Sequence, residues 1–138
     1  MNIAKEYLKQ VETLDTKIQQ KKIELAGLKE EATCTGAFDY SAEKVQTSAK
    51  ADSMSKKVAK YVDLENEIHE DIERITELKH KVIGQIHMLD DPKYINVLFK
   101  KYIEYKGLKE ISKELGYSYD HIRRVHGWAL LEFQRKNL

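Results

Sequence analysis

One cysteine, one proline and six glycines are spread over 138 residues, and no long apolar run breaks the sequence. Each scarcity excludes something. Cys34 has no partner in the chain, which rules out an intrachain disulfide framework and fits a reducing compartment. A sandwich or barrel shows turn signals about every 8–12 residues, and a nucleotide-binding fold shows Gly-rich loops after strands; neither pattern is present. No stretch approaches the roughly 18 apolar residues of a membrane span, and MNIAKEYLKQ lacks the apolar core of a signal peptide. The expectation is a cytoplasmic protein with no membrane partner. Charge of one sign is also missing, since 24 Lys and Arg face 23 Asp and Glu for a net of +1. The distribution is less even. Residues 92–138 hold ten basic and five acidic residues, so the last 47 positions carry +5 and residues 1–91, with 14 against 18, carry −4.

What is present is heptad periodicity. Ala4, Tyr7, Val11, Leu14, Ile18, Leu25, Leu28 and Ala32 recur at steps of three and four, with Lys21 in the missing position. A second seam runs through Val58, Tyr61, Ile68, Ile72, Ile75, Val82, Ile86 and Leu89, with Glu65 and Lys79 as its polar positions. Both stretches read as long helices, near 4–31 and 54–90, and residues 33–53, rich in Thr, Ser, Ala and Gly without a period, read as a loop. An antiparallel register that matches Leu28 with Val58 sets Ile18 against Ile68, Val11 against Ile75, Lys21 against Glu65 and Tyr7 against Lys79. That match favours a helical hairpin; pairing between two chains is the competing reading. In this register helix one runs out near Val82, leaving Ile83, Ile86 and Leu89 to cover the next domain or a second subunit.

Asp90-Asp91-Pro92 marks a boundary, because Asp caps a helix N-terminus and proline is tolerated only in its first turn. The expected domains are a helical arm over 1–91 and a three-helix unit over 92–138. Ile95, Leu98, Phe99, Tyr102 and Ile103 line a first helix near 92–105, which ends at Lys106-Gly107. Leu108 to Phe133, LKEISKELGYSYDHIRRVHGWALLEF, then has the spacing of a helix-turn-helix. Leu108, Ile111 and Leu115 are buried positions one turn apart, and Ser112 is the small residue where two helices approach. Gly116 supplies the positive φ of the tight turn, and Tyr117 closes that turn against the core. Ser118 caps the second helix, with Asp120 in its first turn, where the helix dipole favours a carboxylate. Ile122, Val125, Ala129, Leu130 and Phe133 hold the helix from behind.

Packing then leaves Tyr119, Asp120, His121, Arg123, Arg124 and Gly127 on the solvent face. Arg bonds guanine bidentately or holds phosphate, Asp accepts from a cytosine amine, and Tyr donates to phosphate or stacks on a sugar. The candidate DNA-contacting set is therefore Ser118, Tyr119, Asp120, His121, Arg123, Arg124, Lys109 and Lys113. Lys100, Lys101, Lys106, Lys109 and Lys113 add non-specific attraction for phosphate that weakens with salt.

On Glu110-Ile111, Leu115-Gly116, Ser118, Ile122-Arg123 and Ala129-Leu130, residues 92–138 resemble the helix-turn-helix of region 4 of primary-type bacterial sigma factors. The wider arrangement, VQTS at 45–48, DLENEI at 63–68, LDDPKY at 89–94 and GYSYDHIRRVHGWAL at 116–130, resembles short phage and prophage proteins of Gram-positive bacteria related to the ArpU and RinA type of late-gene transcriptional regulator. The resemblance implies promoter-type base contacts by Tyr119, Asp120, Arg123 and Arg124. It departs at Tyr119 and His121, where sigma factors usually carry arginine, and at Gly107, where they carry a Ser/Thr cap. Recognition of a sigma-type −35 element is therefore not carried over, and no promoter-melting region is present. A regulator that binds its own operator or works with host RNA polymerase is what the resemblance implies, and a homodimer is the usual operator-binding state.

Other chemistry finds little support. His69, His80 and His87 share one helix, but only Glu77-x-x-His80 fits a di-iron pattern and no partner pair lies on helix one, so these histidines read as solvent-facing, with no metal and no cofactor. Cys34 reads as an ordinary exposed thiol. Phe38 and Tyr40 in the same loop are open to docking on the coiled coil or on a partner. No constellation supports an enzyme. The expected fold is all-α, a long antiparallel helical hairpin followed by a three-helix DNA-binding domain. Its partners are double-stranded DNA and, as open alternatives, RNA polymerase or another phage protein contacted by a coiled-coil adaptor that binds no DNA.

Overall fold

The computed structural model describes residues 2–38 and 43–138, and side chains outside 32–53. The expected turn between the long helices, together with the side chains of Cys34, Phe38 and Tyr40, lies outside the described residues. The described chain is all-α: α1 Ile3–Phe38, α2 Glu43–Ile86, α3 Pro92–Tyr102, α4 Leu108–Leu115 and α5 Tyr119–Asn137. None of these helices is long and apolar enough to cross a membrane. Helix occupies residues 33–38 and 43–53, which the missing period had assigned to a loop. Periodicity reports packing, whereas Glu43, Lys44, Gln46, Ala49, Lys50 and Ala51 favour helix over 43–53 by propensity alone.

Contacts divide the chain into two compact units, Thr16–Glu73 and the combination of Met1–Asp15 with Arg74–Leu138. The compact unit that holds Pro92 thus extends back across the expected boundary at residue 91. In the first unit α1 and α2 pair antiparallel within one chain. Lys21 bonds Asp71 at 2.5 Å and Glu67 at 2.9 Å, Lys29 meets Glu65 at 3.4 Å, and Glu31 meets Lys57 at 3.7 Å. The bonds to Asp71 and Glu67 raise the pKa of the Lys21 ammonium. Ile18, Leu64 and Ile68 are buried there.

The pairing is real but displaced from the expected register by one heptad. Lys21 meets Asp71, six positions past the Glu65 expected opposite it, and Glu65 instead pairs with Lys29, eight positions along α1. In the other unit Tyr7 donates its hydroxyl to Gln85 Oε1 at 2.7 Å where Lys79 was expected, and Lys79 meets Asp15 at 3.9 Å. A shift of seven returns every a or d position to an equivalent one, so the seams alone cannot distinguish the two registers. The buried stripe of α2 is also turned by one residue. Leu64 and Asp71 are buried in place of Glu65 and Ile72, and Ile72 is 37% exposed. Burying Leu64 and Leu78 rather than Glu65 and Lys79 favours that turn, and the Lys21 ion pair offsets the cost of taking Asp71 inside.

The slip determines what the other unit can build. Ala4, Leu8 and Val11 reach Val82, Ile86 and Leu89, and all six join Leu98 and Tyr102 of α3 and Ala129, Leu130 and Phe133 of α5 in one core. Leu8 is fully buried, and Tyr7 is half-buried with its ring 6.0 Å from Phe133. Helix α2 stops at Ile86 rather than near 90. Met88 and Leu89 donate to carbonyls three residues back, a tightened turn that buries Leu89 and leaves Met88 outside.

Helix α3 opens as expected, with Asp91 accepting from Lys93 N–H at 2.9 Å and Pro92 in the first turn. It ends at Tyr102, earlier than expected. Tyr105 takes a positive φ of 61°, and its hydroxyl donates to Asp15 Oδ2 at 2.7 Å, with the Lys79 ammonium 5.6 Å from the ring centroid. Burial and the Asp15 bond push the Tyr105 phenol pKa up. A left-handed tyrosine thus follows α3, and Gly107 is the N-cap of α4 with φ −76°.

The register can be tested by double-mutant cycles. Tyr7→Phe combined with Gln85→Ala is expected to show a coupling of about 0.5–1.5 kcal/mol in urea unfolding, and Tyr7→Phe with Lys79→Ala none beyond error. The reverse pattern would restore the register read from the seams.

Candidate nucleic-acid interface

The turn ahead of α5 is built by three consecutive residues. Gly116 closes α4 with φ 76° and donates to Ser112 O, and Tyr117 N–H shares that acceptor. The left-handed conformation costs a residue with a Cβ roughly 1–2 kcal/mol, so glycine fits here. Ser118 then turns extended, and its hydroxyl oxygen accepts from His121 N–H at 3.2 Å. That cap satisfies one orphan donor and leaves the hydroxyl proton free to donate outward. Ser112 is buried, as the close approach requires, and its hydroxyl donates to Lys109 O.

Val97, Ile111, Ile122 and Val125 form the core beneath this turn, with Leu108 and Leu115 packed on it. Ala129, Leu130 and Phe133 anchor the rest of α5 to the larger core. All five positions expected to hold α5 from behind are buried. The same stripe buries His126, a residue that sequence reading passed over although it continues the spacing of Ile122, Ala129 and Phe133. His126 Nε2 and the Tyr102 hydroxyl are hydrogen-bonded at 2.7 Å, and their rings stack. Burial, with Lys101 and Lys5 nearby, holds the imidazole pKa down to about 4, and burial pushes the Tyr102 phenol up.

The opposite face is open. Tyr119, Asp120, Arg123 and Arg124 are exposed and His121 is half-buried. Among the described residues neither Arg123 nor Arg124 has an acid within ion-pair distance, so both guanidinium forks are available for bidentate bonding to an anion or a base edge. Lys113 is exposed, and the Lys109 ammonium lies 5.9 Å from the Tyr119 ring centroid.

Two further placements depart from expectation. Tyr117 is 40% exposed and does not close the turn inward; its ring lies 5.0 Å from His121 and 4.9 Å from the Lys93 ammonium. Lys100 and Lys106 both bond Glu114, at 3.1 and 2.8 Å, and both approach Glu104 at 3.7 Å. Those bonds raise the pKa of Lys106 and hold the Glu114 carboxyl below its usual range. Two of the five lysines assigned to phosphate attraction are therefore engaged within the chain. Finally, Trp128 and Leu131 on α5 are 49% and 66% exposed. His69, His80 and His87 are exposed, and no group of three potential metal ligands occurs among the described residues. Comparison of the chain with protein-family models, curated proteins and solved structures finds no match.

The His126 environment makes stability depend on pH. An unfolded histidine protonates near pH 6.5, the folded one only near pH 4. Protons thus favour the unfolded chain, and the stability from keeping His126 neutral is complete above 6.5 and lost as pH falls toward 4. His126→Gln, which keeps a hydrogen-bonding group beside Tyr102 without titrating there, is expected to flatten the fall of Tm over that interval relative to the wild type. An identical slope in the two proteins would show that His126 titrates normally.

Proposed function

We propose that the chain is a sequence-specific, double-stranded DNA-binding transcriptional regulator of phage or prophage genes that reads the major groove with the helix beginning at Ser118. The observation that carries this reading is the pair Arg123 and Arg124, exposed and without acid partners among the described residues, on a helix that Gly116 and Ser118 start and a buried stripe fixes from behind. A rigid helix presenting unpaired guanidinium groups with Tyr119, Asp120 and His121 combines base-reading and phosphate-binding groups on one surface. The sequence resemblance to sigma region 4 and to ArpU and RinA type regulators supports the same role. Host RNA polymerase and a second copy of the chain belong to the proposal as partners, and the cytoplasm of a bacterial host as its place. No catalytic step is assigned.

A second reading, a coiled-coil adaptor that contacts polymerase or another phage protein without binding DNA, draws on the exposed Trp128 and Leu131. Salt dependence separates the two. Duplex or heparin retention that falls steeply with salt supports DNA binding, whereas polymerase co-purification without duplex affinity supports the adaptor.

The decisive variant is Arg123→Ala with Arg124→Ala, assayed on a fragment selected from random duplexes by the wild type. Each base-reading arginine is expected to contribute about 1–3 kcal/mol of discrimination. Selective binding should therefore disappear while helical content is retained. Unchanged selectivity in a folded double variant removes the groove assignment.

A further inference from the structure

Two lysines next to the α5 turn sit on aromatic rings with no acid partner among the described residues. Lys93, in the first turn of α3, sits 4.9 Å from the Tyr117 ring centroid, and Tyr117 in turn lies 5.0 Å from His121 in the first turn of α5. Lys109, in the first turn of α4, sits 5.9 Å from the Tyr119 ring. Tyr117 and Tyr119 flank the cap residue Ser118, so two ammonium groups from two different helices converge on the turn from which the candidate reading helix starts. Lys93, Lys109, Tyr117 and Tyr119 are all exposed, and neither lysine has an acid partner among the described residues.

An aromatic face attracts an ammonium without neutralising it. The ring restricts the long side chain to one region and leaves the N–H donors to bond an outside anion. A carboxylate does the opposite, satisfying donors and cancelling charge, which is the state of Lys100 and Lys106 on Glu114. The two kinds of seat therefore set Lys93 and Lys109, available to an anion, apart from Lys100, Lys106 and Lys136, which acids hold, a distinction that composition cannot show.

We propose that Lys93 and Lys109, seated on Tyr117 and Tyr119, are clamps for backbone phosphates of the duplex on either side of the α5 turn, and that Lys93 is a phosphate ligand which the recognition-helix pattern does not include. The inference rests on the DNA-binding reading above. Each clamp acts through charge, adding affinity and fixing the docking of α5 without reading sequence. Tyr117 passes the position of Lys93 to His121, so the phosphate contact and the first turn of the helix are held together.

Neutralising one phosphate contact lowers the slope of log K against log salt by about 0.9 on B-form DNA. Lys93→Gln and Lys109→Gln are each expected to reduce the slope by that amount, and to weaken selected and random duplexes by the same factor so that selectivity is unchanged. Lys100→Gln, whose lysine is held by Glu114, is expected to keep the wild-type slope. Folding of each variant is checked by its circular dichroism and Tm. A wild-type slope in folded Lys93→Gln and Lys109→Gln, or a fall matched by Lys100→Gln, overturns the clamp assignment while leaving DNA binding in place. Absence of any salt-dependent duplex affinity in the wild type overturns the functional reading itself, and the clamps with it.

Discussion

Everything around the candidate interface depends on the apolar core that the ends of the two long helices make with α3 and α5. Residues 92–138 number only 47, and the cluster directly beneath the α4–α5 turn contains four buried residues, Val97, Ile111, Ile122 and Val125. A chain of that size buries too small a fraction of its surface to be more than marginally stable alone. Ala4, Leu8, Val11, Val82, Ile86 and Leu89 supply the missing half of a core, meeting Leu98, Tyr102, Ala129, Leu130 and Phe133. Fully burying a Leu or Phe side chain contributes on the order of 1.5–3 kcal/mol, so these positions outweigh any single polar contact on the surface. The helix ends are thus structural parts of the three-helix unit, and the polar bonds Tyr7–Gln85 and Tyr105–Asp15 orient them.

That dependence explains why the register matters. In the register read from the seams, the N-terminal residues stop short of Ile86 and Leu89, which then need another cover. One heptad further, Ala4 and Leu8 provide it. The sequence seams are compatible with both, because a repeat of seven is invariant to a shift of seven. The observed register covers Ile86 and Leu89 with Ala4 and Leu8, and the polar contacts that accompany it are Asp71 with Lys21, Glu65 with Lys29, and Asp15 with Lys79 and Tyr105. A period can be read from one dimension, but a register needs the partner surface.

Local signals were legible for the same reason that long-range ones were not. Asp91 before Pro92, Gly116 after Leu115 and Ser118 before the α5 stripe each act within four residues, and the backbone adopts the caps and the turn they specify. The buried stripe of α5 was legible because helix period and apolar spacing coincide there. His126 breaks the apolar pattern while keeping the spacing, and its burial depends on a hydroxyl 24 positions away at Tyr102. The left-handed Tyr105 was hidden too, since nothing near it in sequence suggests that a tyrosine takes positive φ; the contacts that accompany it come from Asp15 and Lys79.

Charge is the clearest case in which placement changes meaning. The ten basic residues of the last 47 positions suggest a uniformly positive surface, yet they differ in what holds them. Lys100 and Lys106 share Glu114, Lys136 bonds Asp90, and Arg135 bonds Glu132. Arg123 and Arg124 carry no acid partner among the described residues, and Lys93 and Lys109 rest on aromatic rings. Among the described residues Lys101 and Lys113, in the last turns of α3 and α4, have no acid partner either, while the cations held by acids include the last-turn pair Arg135 and Lys136 of α5. Exposed ion pairs of this kind contribute little to stability. Their consequence is to neutralise Lys100, Lys106, Arg135 and Lys136 within the chain, so that these four contribute less to attraction for an outside anion than the ten-residue count suggests.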